Sequence, residues 1–182
     1  MINKLLVIVF VILSSCNNDS IINNRIISKH LSTLSDDKME GRRAGTNGIE
    51  KAAKYIESEF ERIGLTKYDT LNSYRQNFNF YDMLFYNVIG VLKGKSLPNE
   101  YVIISAHYDH LGIDHKKEGD NIYNGANDNA SGTTAVLALA EYFKKLDNNE
   151  RSIVFVAFTA EEFGLVGSRY FGKQINPNDI VA

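Results

Sequence analysis

Among the histidines and carboxylates in the second half of this 182-residue chain, five are placed to bind metals or move protons: His107, Asp109, Asp128, Glu161 and Glu162. His107 and Asp109 follow a short apolar run, Tyr101 to Ser105. Asp128 lies in the stretch Asn124-Gly125-Ala126-Asn127-Asp128-Asn129-Ala130-Ser131-Gly132, and the two glutamates follow a second apolar run, Ser152 to Phe158. Taken singly, each has an ordinary reading. A lone histidine is more often a hydrogen-bonded structural or surface residue than a ligand. Asp128 with Asn129 could cap a helix, and Glu161 with Glu162 could favour the positive end of the next helix. Together they bring imidazole and carboxylates to one place with no lysine or arginine among them. Crowded carboxylates raise each other's pKa. A bound cation removes that conflict, and imidazole with carboxylate is a common zinc ligand set.

The elements that must position these groups are legible from periodicity. Ile22, Ile26, Ile27, Leu31 and Leu34 predict an amphipathic helix over residues 21–34, followed by a polar loop from Ser35 to Thr46. Ile49, Ala52, Ala53, Ile56, Phe60 and Ile63 predict a second helix, with Asn47 and Glu50 as a capping pair and Gly64 as its stop. From Tyr74 to Lys93 the residue types favour strands. Tyr101 to Ser105 and Ser152 to Phe158 read as strands buried on both faces. A loop over 107–127, a small-residue helix from Ser131 to Lys145 and a last helix from Phe163 to Lys173 complete the series. Strands alternating with helices predict an α/β fold, a three-layer sandwich around a central, mostly parallel sheet. Its strand ends are where such folds collect their sites.

Several segments resemble the two-zinc aminopeptidase family of peptidase clan MH, which includes aminopeptidase Y, bacterial leucyl aminopeptidases and glutamate carboxypeptidase. They are Glu40-Gly41-Arg42 with Gly45-Thr46, Asn87-Val88-Ile89-Gly90, His107-Tyr108-Asp109, Gly125 to Gly132, and Thr159-Ala160-Glu161-Glu162-Phe163-Gly164. The resemblance runs from about Ile21 to the end and implies the zinc exopeptidase fold. It also implies two zinc ions. His107 would bind one of them, oriented by Asp109, and Asp128 would bridge both, with a cis peptide before Asn129. Glu162 would bind the second zinc, and Glu161 would be the general base. His110 either contacts the site or lines it, Tyr108 is packing or function, and His115 sits in a solvated run.

The resemblance implies two further ligands, an aspartate on a following strand and a late histidine. Neither motif occurs up to Ala182. Asp179 lies in a loop-like Asn176-Pro177-Asn178 setting, and no histidine follows His115. The expectation is an N-terminal portion of a zinc peptidase domain over 17–182, with two protein ligands per zinc, weak zinc binding and little hydrolysis on its own. The activity implied is removal of N-terminal residues from peptides. The alternatives of the same fold are a glutaminyl cyclase-like acyltransferase and a non-catalytic binding module.

Residues 1–16 form a separate unit. Met1 to Lys4 carry positive charge and Leu5 to Leu13 are apolar, too few to span a bilayer but suited to an export signal. Leu13-Ser14-Ser15-Cys16 resembles a bacterial lipoprotein signal, which implies lipidation of Cys16, a membrane partner through that lipid, and an extracytoplasmic location. A signal cut near the serines is the alternative. Cys16 is the only cysteine, so no intramolecular disulfide can form. A net charge of −2 gives no basic surface for nucleic acid.

Overall fold

The computed structural model describes residues 20–69 and 71–182. The export signal and the lipidation expected at Cys16 lie outside the described residues. In chain order the elements are α1 (Asn24–Leu34), a 3-10 segment (Asp37–Arg42), α2 (Asn47–Ile63), β1 (Thr66–Lys67), β2 (Arg75–Phe80), β3 (Met83–Leu92) and β4 (Leu97–His107). Then follow β5 (Gly112–Ile113), β6 (Ile122–Tyr123), a distorted turn (Ala126–Ala130), α3 (Ser131–Leu146), β7 (Arg151–Phe158) and α4 (Val166–Gln174). None of these helices is long and apolar enough to cross a membrane.

The six apolar residues that predict α2 are all buried. The helix stops at Gly64, whose φ of 81° is the left-handed conformation a terminal glycine adopts freely. Its start differs from expectation. Thr46 is the N-cap, without a side-chain cap bond, and Asn47 is the first helical residue. Glu50 does not turn back to a cap because Arg75 and Tyr86 claim it. Arg75 donates to both its oxygens at 2.7 and 3.0 Å, and the Tyr86 hydroxyl donates at 2.6 Å, so the carboxylate ties α2 to β2 and β3.

The sheet runs β1-β3-β7-β4, with β2 also paired to β3. The β4/β7 ladder is parallel; β1/β3, β2/β3 and β3/β7 are antiparallel. The α/β sandwich stands, and the parallel arrangement expected of most of the sheet belongs to one ladder. The tight turn at Tyr81 and Asp82 can join only antiparallel neighbours, whereas α3 supplies the crossover that parallel β4 and β7 need.

β7 is the middle of the sandwich, and its side chains alternate between two cores. Ile153, Phe155 and Ala157 pack with Phe60, Val88 and Leu137 in the core beneath α1, α2 and α3. Val154 and Val156 pack with Ile89, Val91, Phe171 and Ile175 on the side of α4. β4, read from sequence as buried on both faces, is half-buried, because in this sheet it pairs on one side with β7 alone. Against its other side the Val181 N–H donates to the Tyr101 carbonyl at 2.9 Å, and the Ile103 N–H to the Ala182 carbonyl at 2.8 Å.

Candidate metal centre

β4 and β7 run side by side with His107 opposite Phe158, so the parallel ladder delivers His107-Tyr108-Asp109 and Glu161-Glu162 to the same sheet edge. The Asp109 carboxylate is fully buried and accepts from the backbone N–H groups of Glu161 at 3.1 Å and Glu162 at 3.3 Å. Ala160, just before them, holds a positive φ of 53°, a conformation costly for a residue with a Cβ. Behind this turn the buried Asn87 accepts from the Thr159 N–H and donates to the Gly167 carbonyl, locking the end of β7 to the start of α4.

The turn Ala126–Ala130 brings Asp128 over the strand ends, and the Asp128–Asn129 peptide is cis. The Asn129 side chain accepts from the Gly132 N–H at 2.9 Å, fastening the turn to α3. The two oxygens of Asp128 face different ways. Oδ1 lies 3.2 Å from His107 Nε2, and Oδ2 lies 3.7 Å from His110 Nδ1. His110 Nδ1 is 2.8 Å from Glu162 Oε1. His110, Asp128 and Glu162 thus offer three donor atoms within 4.8 Å of one another. His107 Nδ1 faces the Asp109 carbonyl oxygen at 3.2 Å, with the Asp109 carboxylate at 3.7 Å, leaving Nε2 free to point at Asp128. His107 Nδ1 thus lies nearer the main chain of Asp109 than its carboxylate.

Charge in the cluster is one-sided. Among the described residues, the ion-pair partners of Asp109, Asp128 and Glu162 are His107 and His110. Burial lowers the pKa of His107, but hydrogen bonding and charge from Asp109, with charge from Glu161, outweigh it and raise the value above normal. Two imidazoles and the part-exposed carboxylates of Asp128 and Glu162, with no lysine or arginine in ion-pair contact among the described residues, suit a zinc-class ion by donor chemistry.

One feature absent from the sequence reading organises the site. Arg42, quoted there as part of a motif but given no role, is fully buried. Its Nε donates to the Tyr108 carbonyl at 2.9 Å, Nη1 to the Leu34 and Asn124 carbonyls at 2.5 and 2.6 Å, and Nη2 to the Gly125 carbonyl at 2.9 Å. Burial lowers its pKa to about 10, against the pull of Asp109 and Asp128, and it stays cationic at neutral pH. Arg42 therefore clamps the segment that carries His107 and Asp109 to the loop that leads to Asp128. Gly41 is needed because a Cβ there would stand 2.5 Å from the Gly112 carbonyl oxygen. Tyr108 is packing: it is buried, and its hydroxyl donates to the Tyr86 carbonyl. His115 is exposed, as its solvated surroundings suggest.

Residues 87–182 match the profile of Peptidase family M28. Aminopeptidase YwaD of Bacillus subtilis (strain 168) is 34% identical over 95 residues, covering 52% of this chain and 19% of that protein. A vacuolar membrane protease of Kluyveromyces lactis is 30% identical over 128 residues, 68% of this chain and 13% of that protein. The chain thus spans a small part of the length of these relatives. Among solved structures, BSAP, a zinc aminopeptidase from Bacillus subtilis, superposes with a TM-score of 0.67 at 17% identity over 85% of this chain and 66% of that one. A Fimbriiglobus ruber glutaminyl cyclase superposes with a TM-score of 0.66 at 20% identity over 83% of this chain and 54% of that one. At such identities the superpositions speak for the fold.

Proposed function

This chain belongs to peptidase family M28, and from that membership we propose that it acts in a zinc-dependent aminopeptidase, taking N-terminal residues from peptides outside the cytoplasm. The observation that carries this reading is Asp128, which turns one oxygen toward His107 and the other toward His110, the partner of Glu162. A carboxylate so placed can serve two cation positions at once, the arrangement two-metal hydrolases use. His107 and Asp128 would hold one zinc, and Asp128 and Glu162 the other. Bound there, zinc lowers the pKa of its water to about 7 and polarises a peptide carbonyl.

The chain's own residues supply the rest. Glu161 follows directly on the Ala160 turn, and its N–H is held by Asp109. Its carboxylate is the general base of the proposal, taking a proton from water and returning it to the departing amine. Asp109 fixes the main chain of both glutamates, so Glu161 and Glu162 keep separate tasks. Residues 1–16 extend the proposal to a lipoprotein tethered through Cys16. The apolar run Leu5 to Leu13 and the chain's sole cysteine support that extension.

The test is an assay of the zinc-supplemented protein on aminoacyl p-nitroanilides and their N-acetylated counterparts. An aminopeptidase releases nitroaniline from the free-amine substrates alone. Equal release from both forms, or release unaffected by a zinc chelator, would overturn the reading. A peptide beginning with glutamine, in the same assay, separates the cyclase alternative: a cyclase liberates ammonia and leaves the chain length unchanged.

A further inference from the structure

We propose that His110 is a metal ligand, its Nδ1 joining Asp128 Oδ2 and Glu162 Oε1 in a three-donor site for a zinc-class divalent cation. The inference rests on the zinc reading above and assigns that site a nitrogen donor from this chain, in addition to the late histidine that the family resemblance implies. The three residues come from the segment after β4, the turn before α3 and the segment after β7. Their donor atoms lie within 4.8 Å of one another.

The separations suit coordination. Ligand atoms about 2.0–2.2 Å from a tetrahedral zinc stand roughly 3.3 Å apart. The measured Nδ1 to Glu162 Oε1 distance is 2.8 Å, and Nδ1 to Asp128 Oδ2 is 3.7 Å, on either side of that value. Side-chain rotations suffice to even them out. One nitrogen and two oxygens are donor types that zinc accepts together.

The ring is also held in place. His110 is mostly buried, and its ring lies against Gly125, where a Cβ would come 2.5 Å from Cδ2. The backbone N–H of His110 donates to the Arg42 carbonyl at 3.2 Å, while the Arg42 guanidinium holds the Asn124 and Gly125 carbonyls. Imidazole and aspartate are thus set by one clamp. A histidine that only hydrogen-bonded Glu162 would have no need of Asp128. Here Asp128 gives its second oxygen to the His110 side, the division expected if both oxygens face cations.

Two measurements on the full chain test the assignment. Long-range proton–nitrogen NMR of the wild-type imidazoles should show zinc moving the His110 Nδ1 resonance into the metal-bound range, with His115 unmoved. In His110→Cys loaded with cobalt(II), a thiolate-to-cobalt charge-transfer band should rise in the near ultraviolet. It should exceed both the wild type, which carries Cys16, and His115→Cys. His110→Ala should weaken zinc binding roughly 100-fold or more, beyond the usual effect of losing a supporting hydrogen bond. If the wild type binds zinc while the His110 nitrogen stays unmoved and His110→Cys adds no band, His110 is only a hydrogen-bond partner of Glu162. The zinc reading then survives without it. If the wild type binds no zinc, the three donors make no site and the His110 assignment falls, while the weak binding expected of this chain on its own leaves the zinc reading standing.

Discussion

The guanidinium of Arg42 donates to the Gly125 carbonyl oxygen at 2.9 Å, across 83 positions of sequence. The same group reaches the Tyr108 carbonyl, so one buried side chain fixes the loop bearing Asp128 relative to the strand end bearing His107 and Asp109. Arg42→Ala strands the Leu34, Tyr108 and Asn124 carbonyls, each costing about 1–3 kcal/mol when left unpaired, while the Gly125 carbonyl keeps the Ala130 N–H. Urea denaturation should show a loss of at least about 3 kcal/mol, and Arg42→Lys, which lacks the planar fork, should recover little of it. A loss under about 1 kcal/mol for Arg42→Ala would mean that the clamp is not structural.

Asp109→Asn keeps the size of the buried side chain and removes its charge. The Glu161 and Glu162 N–H groups would share one amide oxygen, and the field acting on His107 would weaken. Zinc affinity measured by competition with a chromogenic chelator should fall about 10- to 100-fold, the usual cost of losing a group that supports a ligand. An unchanged affinity would remove Asp109 from the site's support.

Glu161→Gln separates proton transfer from metal binding. Zinc content by mass spectrometry should stay at the wild-type level, while hydrolysis of an aminoacyl p-nitroanilide should fall about 10²- to 10⁴-fold. If zinc is lost as well, Glu161 is a ligand and the roles of the paired glutamates must be exchanged.

The Glu50–Arg75 pair gives a pH signature away from the metal centre. Hydrogen bonding from Arg75, then from Tyr86, takes the Glu50 pKa from 4.5 to about 2, with burial opposing. Because the folded value is the lower one, the stabilisation is complete above about pH 4.5 and is lost as pH falls toward about 2. Thermal melts should show a drop across that window that is smaller in Glu50→Gln. Parallel curves for the two proteins would rule out this pair as its source.

The sequence made α2 legible because its apolar stripe and its terminal glycine are local signals. It also named the groups at the strand ends, since His107 and Glu162 come within four residues of the apolar runs that place them. It could not give the direction of β3 against β7, which is settled by contacts between segments far apart in the chain. Glu50 misled because a capping pair is only a local pattern, and Arg75 outcompetes it from another element. Arg42 and His110 were undetermined for a related reason. The carbonyls that Arg42 binds belong to three separated segments, and His-Tyr-Asp-His says nothing about which way its last ring turns.

β7 places alternate side chains in two different cores, and its far end launches the two glutamates. The strand is therefore a ruler as well as a wall: counting residues along it sets both which core each side chain enters and where Glu161 and Glu162 emerge. Deleting one residue between Ile153 and Phe158 would reverse every later inside-outside assignment and swing the glutamates away from Asp109 in the same stroke. Changes of size along β7 can be absorbed by repacking on either face. Changes of length cannot, so variation in the distance between this chain's two groups of candidate ligands belongs in the loops and not in the strand.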